Sequence, residues 1–435
     1  MSLKQGLGQS PITIARLARP EGKMPVRRVP RAATQEVNKM NTEKIVKAVK
    51  YQLKNIHYRM HASEIDPDLW LVSERGFDAQ DNGYALYKYL VENKELLHIR
   101  PVYVIDEDSR DYDKVKALGG EIVEPGTKEH YELMYTAGVL ASTHTYGYTP
   151  DKEIYYRLAE NGLFGPDGVS VFLQHGVLDK VTHWLDWESY QPDLFCISSP
   201  YEYKVVREDN QVPPEHIMAT GMPRYDALDQ AGTPKKQVLI MPTWRQWLKD
   251  VSKEDFKNSV FFKKWRDVIQ SQILSKSLEE KGYSCVFYLH PELAPYKSLF
   301  TSAAKNTNIV IEDSGIQQHM MDSVALVTDY SSTYLDMIRM GRQVIFYQFD
   351  TKRYNTEHYS GTILNYENYG AVATSATIIS TILMTMDGAE FGDKQKKEKL
   401  FYFYDGQQCA RVVQRIRQAE ILKGLMPAED VVPFS

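Results

Sequence analysis

Short runs rich in Val, Ile, Leu and Phe alternate with amphipathic segments from Trp70 onward. A short apolar run bounded by turn residues is typical of a buried strand, whereas a 3.6-residue apolar period is typical of a helix. The alternation therefore predicts a parallel sheet with helices on both faces. The first series of predicted strands is 69–74, 101–105, 121–123, 138–142, 170–176 and 193–199, with helices at 82–91, 114–118 and 131–137.

Turn-forming and charged residues interrupt this alternation at 220–237. A second series follows, with predicted strands at 238–243, 284–290, 308–313, 325–330 and 343–348, and helices at 261–280, 333–340 and 407–423. Two such series predict an α/β protein with two doubly wound parallel-sheet domains that face each other across a cleft. Ligands of such sheets bind at the carboxyl ends of the strands.

The N-terminal end of the chain is basic. Residues 1–60 hold 13 Lys and Arg against 3 Asp and Glu, although the whole chain has a net charge of −5. We expect 1–41 to be a poorly ordered leader and 42–60 to be an amphipathic helix. The apolar face of that helix would carry Ile45, Val49, Leu53 and Ile56.

Two interpretations of the helix remain open: it lies in a membrane interface, or it docks on the body with its lysines in solvent. A basic end on an acidic body favours an anionic partner. The body has no basic stripe with interleaved aromatic residues, so we expect an anionic membrane surface and not nucleic acid.

Other patterns narrow the class of protein. No apolar run reaches the roughly 18–20 residues of a membrane span, and the N-terminus has no signal-peptide core. Cys196, Cys285 and Cys409 are far apart, so we expect buried thiols and not a zinc site. We predict a cytoplasmic protein held peripherally on the inner face of the cell membrane, with no cofactor and no metal.

Two histidines follow predicted strands, one in each half of the chain. His175 lies in Gln174-His175-Gly176, and His290 lies in His290-Pro291-Glu292. A neutral imidazole can accept a proton near neutral pH. If the two rings face each other across a cleft, one could act as the base and the other could stabilise phosphate. The alternative for either ring is a structural histidine that caps a loop.

Further polar clusters suit phosphate. Arg224 lies in the junction, and Thr243 and Arg245 follow a strand. Arginine can hold a phosphate with two parallel hydrogen bonds. Ser331 and Ser332 begin a predicted helix, and the N-terminus of a helix attracts phosphate. Asp336, one turn further on, could accept a hydrogen bond from a ribose hydroxyl or orient the site. The alternatives are a salt-bridged turn, a packed strand end and a helix cap without a ligand.

Taken in order, these clusters resemble the CDP-glycerol glycerophosphotransferase family, the teichoic acid primases and polymerases. The resemblance covers roughly 70–417 and rests on SERGFDAQDNGYALYKYL (73–90), VYVIDEDSRD (102–111), QHGV (174–177), GMPRYD (221–226), MPTWR (241–245), HPE (290–292), TDYSSTYLD (328–336) and YDGQQCARV (404–412). It implies a GT-B-like fold with an acceptor-side domain at 61–232, a CDP-glycerol-binding domain at 233–406, and a C-terminal helix and tail at 407–435.

The resemblance also implies site residues. His175 and His290 would be the catalytic pair. The substrate-binding set would be Gly176, Arg224, Pro242, Thr243, Arg245, Ser331, Ser332, Asp336 and Arg411. The sequence departs from the family in having Gln174 in place of a frequent Trp, and in lacking an Arg or Lys two residues before His290.

The expected activity is transfer of glycerol phosphate from CDP-glycerol to the hydroxyl of a lipid-linked cell-surface polymer precursor, with release of CMP. Three alternatives remain open at this point. The donor could be CDP-ribitol, the protein could be a GT-B glycosyltransferase or epimerase that uses a UDP-sugar, or it could bind a glycopolymer without catalysis.

Overall fold

The computed structural model describes residues 42–152, 154–155, 165–180, 182–358, 365–385 and 400–427. The predicted leader at 1–41 lies outside them. The strands of the first half form one sheet, in the order β3-β2-β1-β4-β5-β6-β7. They are β1 (Asp66–Ser73), β2 (Arg100–Val104), β3 (Glu121–Val123), β4 (Ala137–Ser142), β5 (Val169–Phe172), β6 (Leu194–Ile197) and β7 (Ile217–Ala219).

A second sheet has the order β10-β9-β8-β11-β12-β13. Its strands are β8 (Gln237–Met241), β9 (Ser284–Tyr288), β10 (Ile309–Glu312), β11 (Ser323–Thr328), β12 (Gln343–Tyr347) and β13 (Ala371–Ala373). The strand pairs are parallel in both sheets. In each sheet the first strand of the series is an interior strand that lies between the second and the fourth, so the strand order reverses beside β1 and beside β8.

Helices connect the strands. Those of the first half are α1 (Thr42–His61), α2 (Asn82–Glu92), α3 (Lys94–Leu97), α4 (Tyr112–Lys116), α5 (Lys128–Thr136), α6 (Pro200–Lys204) and α7 (Tyr225–Asp229). Those of the second half are α8 (Lys253–Asn258), α9 (Val260–Ile269), α10 (Gln272–Lys281), α11 (Lys297–Ala304), α12 (Ile316–Asp322), α13 (Thr333–Arg339), α14 (Thr351–Glu357), α15 (Ala376–Thr385) and α16 (Gln408–Lys423). None of the helices that the structure describes combines the length and the apolar character that a membrane span requires.

Each sheet is covered on both faces. Along β8, Val238 and Ile240 pack into one core cluster, whereas Leu239 and Met241 pack into another on the opposite face. The sequence of a strand that is buried on both sides is a continuous apolar run, which is why the sequence pattern located these strands.

The C-terminal helix α16 follows the second sheet in sequence but packs on the first. Val412, Val413 and Ile416 share a core cluster with Trp70 and Val72 of β1. The chain therefore crosses back between the domains.

The prediction of a single helix at 261–280 is wrong, because the segment forms two helices, α9 and α10. The hydroxyl of Ser271 accepts a hydrogen bond from the backbone N–H of Leu274 and so begins α10 as an N-cap. The strands β7 and β13 were not predicted. Their sequences, Ile-Met-Ala and Ala-Val-Ala, each hold only one β-branched residue, which gives a weak strand signal.

Candidate active site

A cavity of about 200 Å³ lies between the two sheets at the carboxyl ends of their strands. The loop after β5 forms its wall on the first sheet. The loops after β8, β9 and β11, together with α14 and the residue that follows it, form its wall on the second sheet. Seven of the predicted site residues line it, namely His175, Gly176, Pro242, Thr243, His290, Ser331 and Ser332.

The turn that presents His175 is backbone-strained. Gln174 has a φ of +62°, a left-handed conformation that costs a side chain other than Gly or Asn roughly 1–2 kcal/mol. Two hydrogen bonds hold it: its side-chain amide donates to the carbonyl oxygen of Cys196 at 2.5 Å, and its own carbonyl accepts from the side chain of Asn82 at 2.8 Å. The sharp turn places the next residue, His175, in the cavity.

His175 is open to water on the cavity side, while protein surrounds it elsewhere. Desolvation, followed by the charges of Arg224 and Arg75, lowers the pKa of its ring below the usual range. A hydrogen bond to the backbone of Thr143 acts in the opposite direction. A bond that favours the protonated ring is one that the ring donates, so the Thr143 carbonyl accepts it. No motif in the sequence pointed to His144, whose ring stacks on His175.

His290 lies on the second-sheet wall of the cavity. Its Nδ1 accepts a hydrogen bond from the backbone N–H of Glu292 at 3.2 Å. Burial lowers its pKa to about 4, so the ring is neutral at pH 7. A neutral ring whose Nδ1 is an acceptor carries its proton on Nε2.

A third histidine, His358, follows α14 and lines the same cavity. Its Nδ1 accepts from the backbone N–H of Gln246 at 2.9 Å, and burial lowers its pKa to about 4. Trp244 lies between the two rings, 4.7 Å from His358 and 6.4 Å from His290. No pattern in the sequence singled out His358, because it follows a helix and not a strand.

The structure also brings a cation to the cavity that the sequence analysis did not name. Lys180 is 7% exposed, and its ammonium donates to the backbone carbonyl of Tyr330 at 2.8 Å across the cleft. The same ammonium pairs with Asp179 at 3.0 Å. Lys180 thus supplies positive charge to the cavity near His358, whose pKa its charge helps to lower. The charge that acts on His290, after burial, is that of Arg75.

Gly176 and Ser332 mark a close approach of the two walls. A Cβ built on Gly176 would lie 3.0 Å from the Ser332 hydroxyl. Beside it, the hydroxyl groups of Ser331 and Thr333 are 2.8 Å apart. Glycine at 176 therefore allows the loop after β5 to meet the start of α13.

Arg224 and Asp336 do not line the cavity. The guanidinium of Arg224 donates to Asp336 at 2.9 Å and to Asp81, at the start of α2, at 2.7 Å. Arg224 and Asp336 are buried, so this ion triad joins the two domains beneath the cavity. Their contact with a donor molecule remains a prediction.

Arg245 and Arg411 also lie outside the cavity lining. Arg245 is 1% exposed and pairs with Asp329 at 2.7 Å and with Asp350 at 2.9 Å. Arg411 on α16 pairs with Asp405 and lies over the ring of Phe403. These arginines hold loops of the protein in place, and their predicted role in substrate binding also remains untested.

No cluster of His, Cys, Asp or Glu with the geometry to hold a metal ion occurs among the described residues. The three cysteines are buried and unpaired, as the sequence analysis predicted. Asp106, Glu107 and Asp108 form a loop open to solvent.

Residues 56–418 match the family model of CDP-glycerol:poly(glycerophosphate) glycerophosphotransferases. The chain belongs to this family. The resemblance read from the motifs is therefore confirmed.

Two curated proteins are similar to this member of the family. The minor teichoic acid biosynthesis protein GgaB of Bacillus subtilis (strain 168) is 26% identical over 375 residues, which cover 81% of this chain and 40% of GgaB. A teichoic acid glycerol-phosphate transferase of Staphylococcus aureus (strain NCTC 8325 / PS 47) is 22% identical over 382 residues, 80% of this chain and 92% of that protein. The chain thus spans less than half of the first relative and most of the second.

The structure is similar to that of the wall teichoic acid polymerase TagF. The TM-score is 0.62 at 18% sequence identity, and the match covers 88% of this chain and 98% of the TagF chain in that structure. The likeness confirms the predicted fold class of two parallel-sheet α/β domains.

Proposed function

We propose that the protein transfers glycerol phosphate from CDP-glycerol to a hydroxyl group of a cell-surface polymer precursor and releases CMP. The observation that carries the proposal is the shared cavity, in which His175 of the first domain meets His290, Ser331 and Ser332 of the second. Family membership supplies the reaction class. In this proposal the acceptor enters from the first domain, the second domain holds the nucleotide of the donor, and the phosphate and glycerol of the donor lie between the two walls.

His175 acts as the base. The acceptor hydroxyl gives its proton to the ring nitrogen that does not face Thr143, and its oxygen attacks the phosphorus that bears glycerol. The bond from that phosphorus to the bridging oxygen breaks, and CMP leaves with the electron pair. Phosphoryl transfer depends on in-line positioning and on charge stabilisation, which the walls of the cavity provide.

The resting pKa of His175 is low for a base that works near pH 7. Binding of an anionic pyrophosphate beside the ring favours its protonated form and raises the pKa. The donor thus prepares the base, and proton transfer becomes favourable only when the donor is in place.

His290 stabilises the pyrophosphate as a neutral donor. Its ring presents an Nε2–H, since a backbone N–H occupies its Nδ1. The neutral ring of His358 lines the same wall of the cavity. Hydrogen bonds to charged oxygens in a partly dry cavity are strong. The neutral tautomer of His290 favours a hydrogen bond to the pyrophosphate over protonation of the leaving CMP. The ammonium of Lys180 adds positive charge.

CMP release from CDP-glycerol in the presence of a lipid-linked acceptor tests the proposal. We expect release by the wild type and a loss of about 10²–10⁴-fold in kcat for His175→Ala. CDP-ribitol and a UDP-sugar serve as alternative donors in the same assay. Release from one of these but not from CDP-glycerol would replace the substrate, and release from none would favour a binding protein.

We also propose that α1 holds the enzyme on an anionic membrane. The helix docks on α5 through one face, where Tyr58 stacks on Tyr131 and the hydroxyl of Tyr135 donates to Asn55. Its opposite side exposes an apolar stripe, formed by Val46, Val49, Leu53, Ile56 and Met60. An exposed apolar stripe flanked by lysines is typical of an interfacial helix.

Sedimentation with liposomes tests this second proposal. We expect binding to vesicles with anionic lipid, weaker binding at high salt, and loss of binding in Leu53→Glu. Leu422→Glu, an exposed leucine on α16, is the matched control. Equal binding to neutral vesicles would contradict the electrostatic part of the proposal.

A further inference from the structure

The cavity contains one feature that pyrophosphate binding does not explain. Asp179 is the only acidic residue among its described lining residues, and it is 4% exposed. The ammonium of Lys180 balances its charge, but an ionised carboxylate only accepts hydrogen bonds, so it suits a ligand group that donates one.

Half of this carboxylate already has a partner. Oδ1 accepts from the ammonium of Lys180 at 3.0 Å, whereas Oδ2 is buried without a hydrogen-bond partner in the described structure. A buried acceptor without a partner costs about 1–3 kcal/mol, so such atoms in a binding cavity mark the place of a ligand donor.

Two hydroxyl groups of the same lining share this property. The Oγ1 atoms of Thr182 and Thr243 are also buried without a partner. Thr182 lies on the first wall and Thr243 on the second. A carboxylate and two hydroxyls together offer acceptors and donors that suit a ligand with several hydroxyl groups.

We propose that Asp179, with Thr182 and Thr243, forms a subsite that recognises the hydroxyl groups of the polyol carried by the donor. This inference rests on the proposed function. CDP-glycerol has hydroxyls on both its ribose and its glycerol. The loop position assigns Asp179 to the glycerol, because Asp179 follows the base His175 by four residues on the same wall. The group being transferred must lie beside the base.

This arrangement gives the two neighbouring residues Asp179 and Lys180 different roles. The ammonium of Lys180 faces the phosphate that is common to every donor, and the carboxylate of Asp179 faces the polyol that distinguishes one donor from another. A site built to hydrogen-bond a hydroxyl discriminates strongly against an analogue that lacks it, since its buried polar group is then left unpaired.

The test compares three donors: CDP-glycerol, CDP-propanol, which lacks the polyol hydroxyls, and the 2′-deoxycytidine form of CDP-glycerol. For the wild type we expect kcat/KM for CDP-propanol to be about 10- to 100-fold below that for CDP-glycerol. In Asp179→Asn the ratio of kcat/KM for CDP-glycerol to that for CDP-propanol shrinks to a few-fold. The ratio of kcat/KM for CDP-glycerol to that for the 2′-deoxy donor stays as in the wild type.

Two further variants separate this role from a structural one. Lys180→Gln lowers kcat/KM for the three donors by a similar factor, since all contain the pyrophosphate. Glu188→Gln, an exposed carboxylate outside the cavity lining, leaves the preference unchanged.

Several results would overturn the inference. An equal loss for all donors in Asp179→Asn would mean that Asp179 only holds Lys180. A changed preference for the 2′-deoxy donor would assign the carboxylate to the ribose instead. If the variant fails to fold, the wild-type ratio decides, because a ratio near one between CDP-glycerol and CDP-propanol rules out a polyol subsite. Failure of the proposed function would appear separately, as no CMP release by the wild type from CDP-glycerol.

Discussion

The rings of His144 and His175 are stacked, with centroids 4.9 Å apart and planes inclined by 7°. The Nδ1 of His144 lies 3.0 Å from the hydroxyl of Thr143, the residue whose backbone also bonds to His175. Stacking and this backbone bond together fix the orientation of the proposed base. His144 is therefore a positioning residue.

Replacing His144 separates orientation from chemistry. We expect His144→Ala to lower kcat about tenfold, because the His175 ring loses one wall, while the KM for the donor changes little. His144→Phe retains a flat ring and should recover most of the activity. CMP release measured over a range of donor concentrations gives kcat and KM for both variants. A large rise in KM with an unchanged kcat would instead indicate that His144 contacts the donor.

The contact between Gly176 and Ser332 predicts a steric effect. The added methyl group of Gly176→Ala would lie 3.0 Å from the Ser332 hydroxyl, so that hydroxyl must shift by a few tenths of an ångström from its place in the cavity. We expect a several-fold loss of kcat/KM for the donor, which Ser332→Gly in the same chain should partly restore.

Gly232→Ala is the matched control for this steric effect, since a Cβ there meets nothing within 4 Å. Double-mutant kinetics give the coupling between Gly176 and Ser332. Strictly additive losses would show that the two positions do not interact.

The sequence located the strands other than β7 and β13, since strands buried on both faces, such as β8, stand out as apolar runs. It also located the site residues that directly follow strands, such as His175, His290 and Ser331. It failed to find His358 and His144, whose positions depend on how a helix end and a neighbouring loop fold back over the cavity. Arg224 shows a second limit of the sequence. Its charge predicted a contact with phosphate, but spacing along the chain does not reveal that Asp81 and Asp336 surround it in the fold.

Buried histidines predict a pH-dependent contribution to stability. Burial lowers the pKa of His130 to about 4, whereas an exposed histidine titrates near 6.5. Between these values the unfolded chain binds a proton that the folded chain does not. The contribution of His130 to stability is therefore complete above about pH 6.5 and decreases as the pH falls towards 4.

Comparison with His130→Gln isolates this contribution, because buried carboxyls act in the opposite direction. The pKa values of Glu74 and Glu420 are raised to about 8 and about 7, so these groups bind protons in the folded state first. We expect the stability advantage of the wild type over His130→Gln to shrink by about 2 kcal/mol from pH 7.5 to pH 5, measured by urea unfolding. A pH-independent difference would contradict the low pKa of His130.

The triad of Arg224, Asp81 and Asp336 predicts a structural penalty. Arg224→Ala removes the cation between two carboxylates, of which Asp336 is 2% exposed. Leaving a buried charge without its partner costs about 3–5 kcal/mol, so we expect a clear shift of the urea midpoint. Arg100→Ala is the control, because its pair with Glu121 is exposed and should contribute less than about 1 kcal/mol.

Measuring activity on the same Arg224 variant distinguishes the two roles of the residue. If Arg224 only joins the domains, Arg224→Ala that is kept folded at low temperature retains its KM for CDP-glycerol within a few-fold. If Arg224 binds the donor, as the family resemblance implies, KM rises strongly even where the variant is fully folded. The joint outcome of an unchanged urea midpoint and a raised KM would show that the ion triad seen here gives way when the donor binds.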